Sequence, residues 1–206
     1  MDQKRGRNLV VVDHDGLMLE KFAGTPVETV EKDAIDFLLE HPPEGKAWVV
    51  PAVPVHVAYA WLSRKLALEG EVMRVPVAKE VDDLVPNPIR DGRGSLYCSV
   101  ATFRCPDNCF EPVETCTVTG EPRRIDLFDL LGKISVPGYT VRVVRSHQLA
   151  PGVGGYRFSS LRQLLEEVRT FEHSVLIATA CRCHGVVDGF RFRRTTPSAE
   201  RRAQSA

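Results

Sequence analysis

The chain has 206 residues, of which 43% are apolar and 26% charged, and its 27 Lys and Arg balance 27 Asp and Glu. That length encloses one sizeable core or two small ones, and the balance excludes a strongly basic nucleic-acid binder or an acidic disordered chain as a description of the whole. No apolar run approaches the ~18 residues of a membrane-spanning helix, and MDQKRGRN leads into a strand-like run rather than a signal segment; a cytoplasmic protein without membrane insertion is expected.

The first eighty residues alternate β-branched runs with helical spacing. Asn8 to Asp13 (NLVVVD) reads as a strand, Gly16 to Phe22 as a short helix and Pro26 to Val30 as a brief strand. Asp33 is placed to N-cap a helix through Glu40, which His41-Pro42-Pro43 ends. Ala47 to Val50 is a third strand. From Pro54 a longer helix carries Ala58, Trp61, Leu62 and Leu66 on one stripe and stops at Gly70, and Val72 to Val77 is a fourth strand.

Residues 78–94 lapse into acids, prolines and glycines and read as a connection or long loop. Leu96 to Phe103 then resembles a strand, followed by a cysteine-rich segment at 104–124. The alternation resumes with a helix near Asp126 to Leu131, a strand at Thr140 to Val144, a glycine-rich loop, a helix from Leu161 to about Thr170 with Ser160 and Gln163 as a capping box, and a strand at Val175 to Ala178. Strands separated by helices of this length predict an α/β fold, Rossmann-like, with a mostly parallel sheet, flanking helices and a cysteine-rich loop, because parallel neighbours need crossover connections. The expected division is a Rossmann-like half at 1–80, a cysteine-rich segment plus a second half at 81–192, and a disordered tail at 193–206.

The runs VVDHDGLMLEKF and VETVEKDAIDFL resemble the middle of a dinucleotide-binding Rossmann domain of the TrkA-N-like kind found in potassium-transport regulators. The resemblance implies that Asp13 ends the second strand and bonds an adenosine ribose. The GxGxxG turn that receives the pyrophosphate is missing, because only seven residues with one glycine precede Asn8. NAD binding in the usual way is therefore not expected of this chain. Capping of the next turn is the plainer role for Asp13.

Cys98, Cys105, Cys109 and Cys116 fall close together, and Cys181 and Cys183 lie in the run CRCH with His184. Clustered thiols in a cytosolic chain point to metal ligation or redox chemistry rather than disulfides. In CPDNCFEPVETC the prolines and the turn-forming Asp107-Asn108 stiffen an irregular loop, so Cys105, Cys109 and Cys116 are candidate ligands. The spacing matches neither zinc-finger pairs nor a ferredoxin run, so zinc, an iron–sulfur cluster and unligated or redox-active thiols all remain open. CRCH follows the strand VLIATA, and Phe103 precedes Cys105. If those two strands share a direction, Cys181, Cys183 or His184 completes the coordination. Cys98, inside a strand pattern, reads as a small buried apolar residue.

SHQLAPGVGGYRFSS places Gly152, Gly154 and Gly155 between a strand and a helix, flanked by Arg145, His147 and Arg157. Such a loop either cradles a small anion or nucleotide on free amides or simply connects the two elements; a P-loop is excluded because no GK[ST] follows. Asp13, His14 and Asp15 read as a capped turn, His56 as a packed or helix-end histidine, His173 as a surface residue. Neither GxSxG nor HExxH is present. The arginines after Phe190 read as a solvating tail, so a nucleic-acid partner is not expected.

Three functions follow. The first is a metal-binding protein with a regulatory or ligand-sensing role. The second is an enzyme using a reactive thiol at Cys181 or Cys183, with Arg182 and His184 as activating neighbours, beside the glycine-rich loop. The third is a homo-oligomerising subunit whose missing first strand leaves a sheet edge for self-association.

Overall fold

Three consecutive valines make the first strand, β1 (Val10–Asp13), and Asp15 N-caps the short helix α1 (Gly16–Leu19) by accepting from the Leu17 amide. A 3-10 turn at Glu20–Phe22 leads to β2 (Glu28–Glu31), which pairs with β1 in parallel register from Val10 opposite Glu28 to Asp13 opposite Glu31. Asp33 caps α2 (Ala34–Glu40) through the amides of Ile35 and Asp36, as the capping pattern predicts. The structure is a computed structural model and describes residues 8–195. These fall into two compact units divided between Glu44 and Gly45. The segment 1–7 and most of the tail expected to be disordered, from 196 onward, lie outside the described residues.

The second unit begins with β3 (Trp48–Val49), α3 (Val57–Ala67) and β4 (Gly70–Val75). After a 3-10 segment at Lys79–Leu84 come β5 (Ile89–Arg90), β6 (Leu96–Ser99), α4 (Leu127–Lys133) and β7 (Tyr139–Arg145). The unit closes with β8 (His147–Ala150), β9 (Val153–Arg157), α5 (Phe158–Val168), β10 (Ser174–Ala180) and β11 (His184–Arg194).

Its main sheet runs β5-β6-β11-β10-β7, with β4 also on β11. The long β11 is the organiser. Its first residues pair with β6 (His184 opposite Ser99), its later ones with β4 (Gly189 opposite Val75), and its other edge with β10 (Val175 opposite Phe190), all antiparallel. Only β10 and β7 are parallel in this sheet.

Because side chains alternate across a strand, β10 serves two layers. Leu176, Ala178 and Ala180 pack with Leu127 and Leu131 of α4 and with Leu96, Cys98 and Val187. Helices α3 and α5 cover the other face with Val57, Ala58, Trp61, Leu62 and Leu66, and with Phe158, Leu161, Leu165 and Val168. Each Val, Leu or Phe among them contributes roughly 1.5–3 kcal/mol of burial, and this layering fixes where the strand ends must lie.

One charged cluster is enclosed in the core. The His56 ring, at the start of α3, bonds Asp188 Oδ2 through Nδ1 and Thr179 Oγ1 through Nε2, each at 2.9 Å. Asp188 Oδ1 also accepts from Ser95 Oγ at 2.8 Å and from the guanidinium of Arg74. The His56 and Asp188 side chains are 5% and 1% exposed, so every polar atom of the pair is matched inside the protein.

The expected Rossmann-like, mostly parallel sheet is corrected by these pairings. The sheet is mixed and mainly antiparallel. Two local features account for the difference. CRCH, which follows a strand in the sequence pattern, is the tight turn of a hairpin that sends the chain straight back as β11. The glycine-rich segment, which reads as a strand-to-helix loop, is the β8–β9 hairpin, with His147 opposite Gly155. A hairpin needs no crossover helix, so the alternation of strands and helices misleads wherever a return strand is overlooked. The capping box at Ser160 is likewise not formed: α5 starts at Phe158 with no side-chain cap.

Candidate functional site

Two segments far apart in the sequence meet at one end of the main sheet. The first is the cysteine loop between β6 and α4; the second is the β10–β11 turn. Backbone bonds tie them together: Val100 N donates to Cys183 O at 2.8 Å and Leu127 N to Arg182 O at 3.0 Å. Glu111 Oε1 accepts from the Arg182 amide at 2.6 Å, and the Arg182 side chain pairs with Asp126.

The β8–β9 hairpin supports the loop from the other side. Gly152 N and Gln148 Nε2 both donate to Cys109 O, at 3.0 and 2.8 Å. Gly152 sits at φ +72°, and a Cβ there would lie 1.7 Å from the Asp107 carbonyl oxygen, so only glycine allows this approach. Its amide is thus spent on the cysteine loop. Gly154 and Gly155 lie within the hairpin, opposite Gln148 and His147. Of the flanking cations, Arg145 stacks on Phe128 and Arg157 on Trp48.

A cleft of about 380 Å³ results, lined by Cys105, Cys109, Glu111, Cys181, Cys183 and His184 and, from the hairpin, by Ser146, His147, Gln148, Gly152 and Gly154. Within it Cys105 Sγ lies 3.6 Å from His184 Nε2, and Cys181 Sγ lies 3.9 Å from His184 Nδ1. Arg123 Nη1 reaches Cys183 Sγ at 2.6 Å, while its Nε donates to Pro112 O.

Several sulfurs accept backbone N–H groups in tight turns. Cys181 Sγ takes the amides of Cys183 and His184 at 3.4 and 3.3 Å, and Cys109 Sγ takes that of Glu111 at 3.3 Å. Cys116 is capped in the same manner by Thr119 and Val118, which lowers its pKa, and it does not line the cleft. Amides aimed at sulfur favour the thiolate and fix its direction, as outer-shell donors do around metal-bound cysteines.

Burial acts the other way on Cys105, Cys183 and Cys181. It raises the pKa of Cys105, reinforced by the Cys183, Cys109 and Cys116 thiols, and that of Cys183, where it outweighs Arg123. Cys181 is pushed up to about 12 by burial and by the bond it gives Glu111. Burial lowers the pKa of the His184 ring, with Glu111 opposing and Arg123 adding. These thiols are therefore protonated, and the imidazole neutral, at neutral pH.

The structure thus brings Cys105, Cys109, Cys181, Cys183 and His184 to one cleft and leaves Cys116 beside it. Cys98 is buried in the α4 core. Asp13, in the first unit, accepts from the Asp15 amide at 2.9 Å, a capped turn. Arg182 points to Asp126 and Phe128 rather than to a thiol. Among the described residues, no group of three or more His, Cys, Asp or Glu side chains is arranged to hold a metal ion as it stands.

Sequence reasoning overlooked Glu111 and Arg123. Glu111 has φ +47°, a strained value for a non-glycine residue, and the following Pro112 was a legible sign of a restricted backbone there. Nothing in the sequence singles out Arg123 from the other arginines.

The fold and cleft define a mixed α/β protein with a shared cysteine–histidine centre. Residues 58–193 match the family model AF_1314_C, described as "Uncharacterized protein, C-terminal domain", and the chain belongs to that family. The matched range contains both cysteine groups. The chain is also similar to an "Uncharacterized protein" of Archaeoglobus fulgidus, 28% identical over 209 residues, covering 92% of this chain and 91% of the relative. No solved structure matches the chain. This family assignment, with the antiparallel pairing of the main sheet, replaces the TrkA-N-like resemblance. No helix among the described residues is long and apolar enough to cross a membrane.

Proposed function

We propose that the chain binds a single transition-metal ion, zinc, with Cys105, Cys183 and His184 as its first ligands. The observation that carries this reading is the 3.6 Å contact between Cys105 Sγ and His184 Nε2. With bonds of about 2.3 Å to sulfur and about 2.0–2.1 Å to nitrogen, two ligands of one tetrahedral zinc are about 3.6 Å apart.

Cys183 supplies the third donor from the same turn as His184, and Arg123 beside it offsets thiolate charge. The His184 Nδ1 atom faces Cys181, so the sulfur of Cys181 serves as the outer partner that holds a ligating imidazole in place. The thiols carry bonds of their own, Cys109 to Thr117 and Cys183 to Arg123. Proton loss and side-chain rotation onto the ion draw them together.

Burial raises the pKa of Cys181 and Cys183 and works against a thiolate nucleophile at either position; the Arg123 contact, which favours the thiolate of Cys183, does not outweigh it. Elemental analysis and a visible spectrum of the full chain, purified without chelator, test the proposal. About one zinc per chain and a colourless solution are expected. Metal-free protein with unchanged folding, or sulfur-to-iron charge-transfer bands, would overturn it.

A further inference from the structure

We propose that the first unit joins a second copy of this chain through β1, giving a two-fold symmetric dimer in which two small sheets become one of four strands, β2-β1-β1-β2. This contact belongs to the first unit and does not depend on a metal in the second.

A strand at a sheet edge presents unpaired amides and carbonyls, and folded chains guard such edges with charges, bulges or brevity. The edges of the second unit carry these devices. Strands β3 and β5 have two residues each, and β4 carries Glu71 and Arg74. A bulge between Gln148 and Ala150 breaks β8, and on β7 Arg142 donates to the Val141 carbonyl and pairs with Glu167. In the first unit the outer edge of β2 is guarded by exposed Glu28 and Glu31. Strand β1 has no such protection. Val10, Val11 and Val12 follow one another without a charge or a bulge, Leu9 before them is exposed, and among the described residues only β2 pairs with them.

The β1–β2 ladder determines which groups are free. Glu28 N donates to Leu9 O at 3.1 Å and Lys32 N to Asp13 O at 2.8 Å. In this parallel register Leu9, Val11 and Asp13 turn their main-chain groups to β2, and Val10 and Val12 turn theirs away. An antiparallel copy with the axis at Val11 sets Val10 opposite Val12 of the second copy, twice over, and forms four N–H···O bonds. Val11 meets its own copy on the other face, and Leu9 meets Asp13 at the ends, so no like charges are opposed. The valine edge is thus complementary to itself, and the two-fold closes the contact at two chains. Pairing also takes the sheet from two strands, which are marginal alone, to four. The edge is short, so the dimer is weak and reversible, at the small end of interface sizes.

The test is sedimentation equilibrium of the reduced full chain with chelator present, from about 1 µM to about 1 mM. A reversible monomer–dimer equilibrium is expected, unchanged when zinc replaces the chelator. In hydrogen exchange of the unaltered chain, the Val10 and Val12 amides should slow as concentration rises, while that of Thr29, on the outer edge of β2, does not. Val10→Pro removes an outward amide at the start of a strand, where proline is tolerated and β2 is not bonded. It deletes two of the four bonds and should weaken the dimer about tenfold or more. A monomer at every concentration would overturn the proposal. So would a dimer whose Val10 and Val12 amides stay unprotected, which places the contact elsewhere, or one that forms only with zinc, which makes it a metal bridge. If circular dichroism shows that Val10→Pro loses its fold, the exchange of the unaltered chain decides.

Discussion

The second unit holds two polar clusters, and they are built to opposite ends. Around Asp188, the carboxylate is 1% exposed with three partners, His56, Arg74 and Ser95, and the far nitrogen of the His56 ring is matched by Thr179. Around His184, the thiols line an open cleft; Cys109 and Cys181 take backbone amides, and Cys183 takes the Arg123 guanidinium. A self-satisfied buried cluster specifies packing; donors held in place but facing a cleft are prepared for something from outside. The contrast lies in how the donors are placed and not in residue type, since each cluster contains a histidine.

The comparison breaks most visibly at Asp188. Asp188→Ala removes the buried acceptor shared by His56, Ser95 and Arg74 and should cost about 1–3 kcal/mol in denaturant unfolding, because it leaves buried donors unsatisfied. Metal content per folded chain should stay the same. A loss below about 1 kcal/mol would show that the cluster is not the structural one of the two.

The thiol cleft should respond to pH instead. Cys105 and Cys183 have pKa values raised above the ordinary 9.0, so both carry protons between pH 6 and 8 and must lose them to bind an ion. Zinc affinity should therefore rise with pH by up to about 100-fold per unit in competition with a chelator, one factor of ten for each thiol. His184, lowered from 6.5, releases no proton over most of that interval. For the metal-free protein the sign reverses. Cys181, at about 12 in the fold against 9.0 for a free thiol, favours the folded state while protonated, so this stabilisation is present below pH 9 and declines toward pH 12.

More local effects sharpen the contrast. Gly152→Ala meets a positive φ and a carbonyl oxygen 1.7 Å from the new Cβ, and about 1–3 kcal/mol of strain is expected, read as weaker metal retention together with a lower melting temperature. Arg123→Ala removes a cation from Cys183 and should weaken zinc binding about tenfold with little change in metal-free stability. Arg123→Lys is expected to recover part of the loss. An equal loss of stability in Arg123→Ala would reassign this arginine to the loop's own structure, where its Nε and amide already bond Pro112 and Glu114.

Local chemistry was legible in the chain. Asp33 caps α2 where the pattern put it, the stripe of Ala58, Trp61, Leu62 and Leu66 is the buried face of α3, and Cys98 is a core residue. The clustering of Cys105 and Cys109 with CRCH was also readable, because irregular loops rich in proline and cysteine have little apolar surface to bury. The sheet was not readable. Residues 184–194 (HGVVDGFRFRR) carry two glycines, an aspartate and three arginines. Only neighbours supplied from elsewhere make them a strand: β10 along one edge, β6 and β4 along the other, and His56 and Arg74 against Asp188.

By itself, then, the sequence determined the short-range structure and the kinds of atoms available for chemistry, since caps, helical stripes and turn residues act over a few positions. Tertiary structure alone decided strand direction, the clasp of Gly152 on the cysteine loop, and which donor of the CRCH turn lies against Cys105. Those outcomes depend on hydrogen bonds and packing between segments far apart in the chain, which no local spacing encodes.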